Sequence, residues 1–288
     1  MSVSNPTSIT VSSYNMRSMN CGKLYLEKLL ANSDIVVISE HRLYSNELYK
    51  LNDINVNFEV FAKASSDLDS VHQNLKPGHC GIAVFWRKEL GNIVKVIECS
   101  SSRMCVIELP GVFYGRSLFI IAVYLPHQAC KISSFDSEIE VLSDLLARIK
   151  PQGEVIIIWD TNCHFSHDIG TRGWGNTTRN AKCMLNMVKS CNLEIYDMNE
   201  EHCCGPKYTF HVDGVGTSYI DHCIISGMVM DEIIECKVLD EHYLNMSDHL
   251  PIVLKCNVNM VMDREKCTRE SIAWQKLSGK TIGELYTH

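Results

Sequence analysis

The sequence predicts an α/β fold in which two β-sheets pack face to face with helices outside. Three observations carry this. Short apolar runs rich in β-branched residues recur along the chain and outnumber the helical stretches. Several of them follow one another with only turns between, which disfavours an alternating strand–helix barrel. The 288 residues are 45% hydrophobic and 21% charged, enough for one large or two small well-buried domains and unlike a disordered or fibrous chain.

The strands fall in order along the chain. Residues 8–15 (SITVSSYN) alternate, and 34–40 (DIVVISE) form a run buried on both faces. Similar runs lie at 80–86, 93–98, 104–109, 118–125, 154–160, 218–225, 233–239 and 251–256. Three helices are expected. One spans 23–31, between the first two strands. The second, 135–150, places Phe135, Ile139, Leu142, Leu145, Leu146 and Ile149 on one face, with acidic residues in its first turn. The third, 179–192, has Ala181, Met184, Leu185 and Val188 at helical spacing. No repeat, low-complexity stretch or Pro/Gly/Ser-rich linker precedes residue 256.

The formal net charge of −7 argues against an avid, uniformly basic nucleic-acid binder. It leaves room for a nuclease, which needs only a local basic rim. The fourteen cysteines form no Cys-x-x-Cys pair. The N-terminus has neither the basic nor the apolar region of a signal peptide, and the longest apolar run, 118–125, is too short to span a bilayer. The cysteines are therefore expected to be reduced and mostly buried in an intracellular, non-secreted protein compatible with a nuclear location.

One pattern recurs at the strand ends. A buried run stops and a polar residue suited to metal or phosphate chemistry follows: Asn15, Glu40, Tyr124, Asp160 with Asn162, Asp221, and Asp248 with His249. Each has an ordinary reading too. Asn and Asp are common turn formers, Glu40 could be solvated, and Tyr124 could fill the core. As a set they point further. Glu40, Asp160, Asn15 and Asn162 suit a hard oxygen-liganded cation such as Mg²⁺. An Asp beside a His can fix its tautomer and suits a phosphate or a water. Together they suit metal-assisted hydrolysis of a phosphate ester.

These motifs, in this order, resemble the endonuclease/exonuclease/phosphatase superfamily over roughly residues 8–256: SYN, VVISEHRL, HCGIAVFW, VYLPH, IIIWDTN, YTFHVDGVGTSYIDHCI and MSDHLPI. EHRL, GTSYID and GTRGWGNTTRNAKCMLNMV are most similar to the endonuclease domain of non-LTR retrotransposons. The tail SIAWQKLSGKTIGELYTH resembles the start of the segment leading to a reverse transcriptase. The resemblance implies a four-layer α/β/β/α sandwich of DNase-I-like type over 1–256, with 257–288 as that linker to a polymerase region that does not follow here. The chain then reads as a truncated element, a domesticated copy or one domain of a longer protein. The resemblance also implies a DNA-nicking, Mg²⁺-dependent phosphodiesterase, with Mn²⁺ as a substitute, acting on DNA as a monomer away from membranes.

The same resemblance assigns roles. Glu40 would bind the metal with Asn15 beside it. Asp160 would orient or deprotonate the attacking water. Asn162 and Tyr124 would hold the scissile phosphate. Asp248 would orient His249, which would stabilise charge on the phosphate, and Asp221 would support this network or contact the metal. Ser218 and Thr209 would support the substrate side or position its strands. His127 stands where relatives often carry an Asn contacting DNA. Arg172, Trp174 and Arg179, in RGWGNTTR, could clamp or stack on a strand or belong to a plain glycine-rich loop. Lys63, Lys76 and His79 could meet a backbone phosphate, although a solvated turn is the simpler reading. Trp159 departs from the family's usual Gly before the catalytic Asp, so the backbone there could differ. Zinc at Cys163, His164 and His167 is disfavoured, because no second Cys/His pair exists at the usual spacing. The competing functions are a phosphatase or phospholipase of the same fold, acting on inositol phosphates or sphingomyelin, and a catalytically dead binding module.

Overall fold

The computed structural model of the protein describes residues 7–64, 80–127 and 132–259, with only the backbone described at Thr7 and Trp159. The chain begins with β1 (Thr7–Asn15), α1 (Met19–Asn32) and β2 (Ile35–Ser39). A short α2 (Tyr49–Asn52) leads to β3 (Phe58–Lys63) and β4 (Ile82–Arg87). Next come β5 (Lys95–Ile97), β6 (Met104–Phe113), β7 (Arg116–Tyr124), α3 (Ile132–Ile149) and β8 (Gly153–Asp160). After α4 (Arg179–Ser190) follow β9 (Leu193–Ile195), β10 (Phe210–Val212), β11 (Gly216–Ser218) and β12 (Asp221–Ser226). The last described elements are α5 (Gly227–Met230), β13 (Ile233–Val238) and β14 (Ile252–Val258).

These strands make two six-stranded sheets, ordered β13-β14-β1-β2-β4-β3 and β5-β6-β7-β8-β12-β9, with β10-β11 as a separate hairpin. The predicted α/β architecture of two packed sheets with helices outside is what forms. Period-two alternation explains why the layers separate so cleanly. On β2, Ile35 and Val37 join the core between the sheets, while Val36 and Ile38 pack with Leu26, Leu29 and Leu30 of α1. A strand buried on both faces must read as a continuous apolar run, which is how 34–40 reads. On the outer face of the second sheet, the predicted apolar stripe of α3, from Phe135 to Ile149, is buried in full. Thr178 caps α4 by accepting from the Ala181 N–H, and Ser18 caps α1 by accepting from Cys21.

The differences from the sequence reading are local. The expected strand 218–225 is two, β11 and β12, because Thr209 Oγ1 accepts the N–H groups of Ile220 (3.1 Å) and Asp221 (3.0 Å) and breaks the ladder there. Strands β3, β9 and β10 are not read from the sequence: β9 and β10 are only three residues long, and β3 neither alternates regularly nor forms an unbroken apolar run. The strand expected at 80–86 begins at Ile82, because Gly81 turns at φ +95° against the His41 ring. A Cβ on Gly81 would lie 2.4 Å from that ring, so only glycine fits. Strand β14 runs to Val258, two residues past the boundary expected at 256, and residues 260–288, the rest of the linker-like tail, lie outside the described residues. No helix among the described residues is long and apolar enough to cross a membrane, and all twelve described cysteines are free.

Candidate active site

Strand register gathers the polar strand ends. In the second sheet, parallel pairing sets Tyr124 beside Asp160, and antiparallel pairing sets Asp160 beside Asp221. In the first sheet, Asn15 pairs with Ser39, so Glu40 follows at the same edge. His249 precedes β14, the neighbour of β1, and bridges to Phe210 of the hairpin. Both sheets thus end in one cleft of about 470 Å³, lined by Glu40, Tyr124, Asp160, Asn162, Asp248 and His249, with Arg17, Arg42, His127, His164, Phe210, Ser218 and Ile220 around them.

Asn15 is the hub. Its Nδ2 donates to Glu40 Oε1 (3.0 Å) and Asp160 Oδ2 (2.9 Å), joining the carboxylates of the two sheets. Its Oδ1 accepts from the Arg17 N–H (3.0 Å), and its main-chain oxygen accepts from Ser247 Oγ (2.7 Å). The Asn162 N–H donates to Asp160 Oδ1 (3.0 Å), and one N–H of Asn162 Nδ2 goes to the Leu125 carbonyl (2.9 Å), leaving Nδ2 a second N–H at the cleft.

Two expected pairings come out differently. His249 Nδ1 bonds Asp221 Oδ2 at 2.8 Å, so Asp221 and not Asp248 orients the ring. Asp248 is adjacent in sequence, but consecutive side chains in extended backbone point to opposite sides. Its carboxylate lies 3.7 Å from Arg17 Nε and near Ser247 Oγ. Tyr124, expected on the phosphate, donates its one hydroxyl proton to Glu40 Oε1 (3.0 Å).

The electrostatics follow from burial and crowding of charge. Burial raises Asp160 to about 7, the neighbouring Asp221 adds to this, and His249, Asn15 and the Asn162 N–H hold it back. Burial opposes charge on His249, yet Asp221, then Asp160 and Asp248, outweigh it and lift the imidazole to about 10. The ring is then an imidazolium at neutral pH, with Nδ1–H on Asp221 and Nε2–H facing Asp160 Oδ2 at 3.9 Å. Burial also works against the Glu40 carboxylate, but Asn15, Arg42 and Tyr124 donate to it and its pKa falls. Phe210 meets the His249 ring edge-on at 5.1 Å and limits its rotation.

The donor set fits a hard divalent cation. Two carboxylates drawn from different sheets share one Asn, and Asp221 lies beside Asp160, so negative charge gathers where a cation could offset it. Asp160, Asp221 and His249 also lie close enough to share an ion, with ligand atoms within 4.8 Å. Asp221 and His249 already satisfy one another, however, while Glu40 and Asp160 both line the cleft and face each other across Asn15.

The remaining residues divide. His127 and Ser218 line the cleft. Thr209 is fully buried, so it positions β12 and Asp221 and cannot reach a substrate. Arg172 is buried too. It stacks on Tyr219 at 5.0 Å and donates to the carbonyls of Cys203 (3.0 Å), Gly205 and Pro206, which makes it an internal pin for that loop and no strand clamp. Arg179, at the start of α4, pairs through both terminal nitrogens with Asp136 of α3 (2.6 Å each). Trp174 is partly exposed and meets His164, a cleft residue, edge-on at 4.4 Å. Lys63 donates to the carbonyls of Cys99 (2.8 Å) and Ser101 (2.9 Å), while Lys76 and His79 lie outside the described residues. The backbone at Trp159 keeps its register opposite Val123 and His222, so the strand runs unbroken into Asp160.

Arg17 and Arg42 belong to the site and were not read from the sequence. Each lies two residues after a strand-end ligand candidate, a spacing that could have flagged them. Seven non-glycine residues among those described adopt positive φ, and four of them, Arg17 (58°), Glu40 (55°), Arg42 (56°) and Asn162 (49°), line the cleft. Such strain gathers where surrounding structure holds side chains for function.

The fold is the DNase-I-like four-layer sandwich implied by the resemblance of the motifs to the endonuclease/exonuclease/phosphatase superfamily. Residues 118–253 match the family model described as endonuclease-reverse transcriptase. Among solved structures, the catalytic domain of APE2 from Xenopus laevis aligns at 14% identity over 88% of this chain and 94% of its own, with a TM-score of 0.68. The AP endonuclease LMAP from Leishmania major aligns at 13% identity over 87% and 88%, with a TM-score of 0.66. The 3' phosphatase NExo from Neisseria, bound to a product DNA hairpin, aligns at 15% identity over 85% and 98%, with a TM-score of 0.62. At such identities the shared property is the DNase-I-like four-layer fold. No curated protein matches the sequence.

Proposed function

We propose that this chain is a Mg²⁺-dependent phosphodiester hydrolase that nicks DNA, of the type found in non-LTR retrotransposons, with Mn²⁺ able to replace Mg²⁺. The observation that carries the reading is the Asn15 hub, which ties Glu40 of one sheet to Asp160 of the other inside a cleft that also holds the Asp221–His249 pair.

A divalent cation held by Glu40 and Asp160 would neutralise charge on the phosphate oxygen and favour attack there. The protein groups do the rest. Asp160, with its carboxyl raised toward neutrality, accepts the proton of the attacking water as oxygen bonds to phosphorus and the bond to the leaving oxygen breaks. Asn162 Nδ2 and the Nε2–H of His249 donate to the phosphate oxygens as negative charge builds on them. Asp221 keeps the ring charged and fixes its plane. Tyr124 and Asn15 hold Glu40 in place. Arg17 and Arg42 form the local basic rim that an acidic chain needs to meet a DNA backbone, with His127 and His164 beside them as polar contacts. The partner we infer is DNA. The stretch 257–288 we read as the start of a linker toward a reverse transcriptase, and the nucleus as the place where such a chain would work.

Relaxation of supercoiled plasmid tests the reading. Nicking that needs Mg²⁺, stops with a chelator, and falls at least about a hundredfold in Asp160→Asn and His249→Ala is expected. Metal-independent nicking, or no nicking by the wild type, would contradict it. Release of phosphate from soluble inositol polyphosphates without nicking would point to the alternative phosphatase.

A further inference from the structure

Both oxygens of Glu40 are engaged, by donors of two kinds. Oε1 accepts from Asn15 Nδ2 and Tyr124 Oη, each at 3.0 Å, both neutral groups on buried or half-buried residues. Oε2 accepts from one side chain, Arg42, through Nη2 at 2.6 Å and Nε at 3.2 Å. Arg42 is a charged residue whose side chain is 39% exposed and which lines the same cleft as His127, Asn162 and His249. A hard divalent cation binds a carboxylate oxygen at roughly 2.1 Å. Each oxygen takes two hydrogen bonds, but both of those on Oε2 come from one partly exposed side chain, so a cation reaches Oε2 by displacing a single group, the guanidinium that now stands there. Two cations on one carboxylate oxygen repel strongly in a partly buried site.

We infer that Arg42 is a displaceable counter-cation, seated on Glu40 until a divalent metal takes Oε2 and then transferred to a substrate phosphate in the same cleft. This rests on reading the cleft as a metal-dependent phosphodiester site. The destination follows from chemistry. The planar fork that now straddles Glu40 Oε2 matches phosphate oxygens equally well. The other acidic group on that side of the cleft, Asp248, already has Arg17 beside it at 3.7 Å. Metal and DNA then assist each other through one side chain, and the assistance is reciprocal. Before the metal arrives, Arg42 neutralises Glu40 and keeps the guanidinium off the DNA.

Two binding measurements that involve no turnover test this. In Mn²⁺ titrations followed by calorimetry without DNA, Arg42→Ala binds Mn²⁺ at least about fivefold tighter than the wild type, while Arg42→Lys stays close to it. Equal or weaker binding by Arg42→Ala overturns the inference alone. Absence of Mn²⁺ binding in both proteins removes the metal reading and the inference with it. In chelator, fluorescence anisotropy with a labelled duplex reads the other side. Glu40→Gln frees Arg42 and tightens DNA binding by about threefold or more, and the double variant with Arg42→Ala loses that gain. A gain that persists in the double variant assigns it to the lost Glu40 charge and contradicts a role for Arg42.

Discussion

Asp221 and Asp248 sit at the ends of neighbouring segments, yet only one of them orients His249. The Asp221–His249 bond is 2.8 Å long and buried, while Asp248 faces Arg17 near solvent. This difference sets the pH dependence. Asp160 must lose its proton to accept one from water and His249 must keep its own, so activity rises with pH on the acid side and falls on the basic side. The bound cation draws the acid limb below the value of about 7 that burial and Asp221 set in its absence. Asp221 raises both groups. Asp221→Asn therefore moves both limbs of the log kcat/KM profile to lower pH and lowers kcat by about a hundredfold. Asp248→Asn leaves the limbs nearly in place. A profile that shifts in Asp248→Asn and stays fixed in Asp221→Asn would reverse the assignment. The strand-end candidates were legible in the sequence, because Asn15, Glu40, Tyr124, Asp160 and Asp221 each follow an apolar run and Asp248 and His249 precede one. Their pairings were not legible. Which Asp meets His249 depends on how β12 approaches the segment before β14, and that approach leaves no local signature. The two arginines of the rim were overlooked because cations near strand ends are ordinary surface residues until a carboxylate is found beside them.

At the scale of elements, the site depends on where strands stop. Thr209 is the clearest case. Buried beside the start of β12, it accepts two backbone N–H groups through its hydroxyl, and its own carbonyl accepts from the Leu250 N–H at 2.7 Å. It thereby ties the hairpin, β12 and the His249 segment together. Thr209→Val keeps the shape and removes the acceptor, leaving two N–H groups unsatisfied at a cost of about 1–3 kcal/mol each. The expected result is a lower melting temperature and a lower kcat with Mn²⁺ affinity unchanged, and Thr209→Ser restores both. A fall in kcat that Thr209→Ser does not rescue would argue against positioning through the hydroxyl. Long strands such as β7 and β8 were legible because burial on both faces demands unbroken apolar runs. The short β9, β10 and β11 are held by hydrogen bonds and by what packs on them, so composition alone does not mark them. The pair of short strands around Tyr219 reads as one in sequence for the same reason, since the Thr209 bonds that part them come from a distant residue.

For the whole molecule, the four layers make an edge that neither sheet could make alone. Asn15 and Glu40 come from one sheet, Asp160 and Asp221 from the other, and close face-to-face packing brings their ends within hydrogen-bond reach. The architecture was legible because strands outnumber helices and are joined by turns, while the layering of α1 outside one sheet and α3 and α4 outside the other required the packed chain. The net charge of −7 is no obstacle, because two cationic side chains, Arg17 and Arg42, stand at the cleft. The central claim is that this shared edge holds a divalent metal between the two sheets. A crystal soaked in Mn²⁺ and measured for anomalous scattering tests it most directly. The account predicts one strong peak within coordination distance of Glu40, with Asp160 and Asn15 converging on it and Arg42 turned away. An absence of any peak in the cleft, with Arg42 still seated on Glu40, would contradict it.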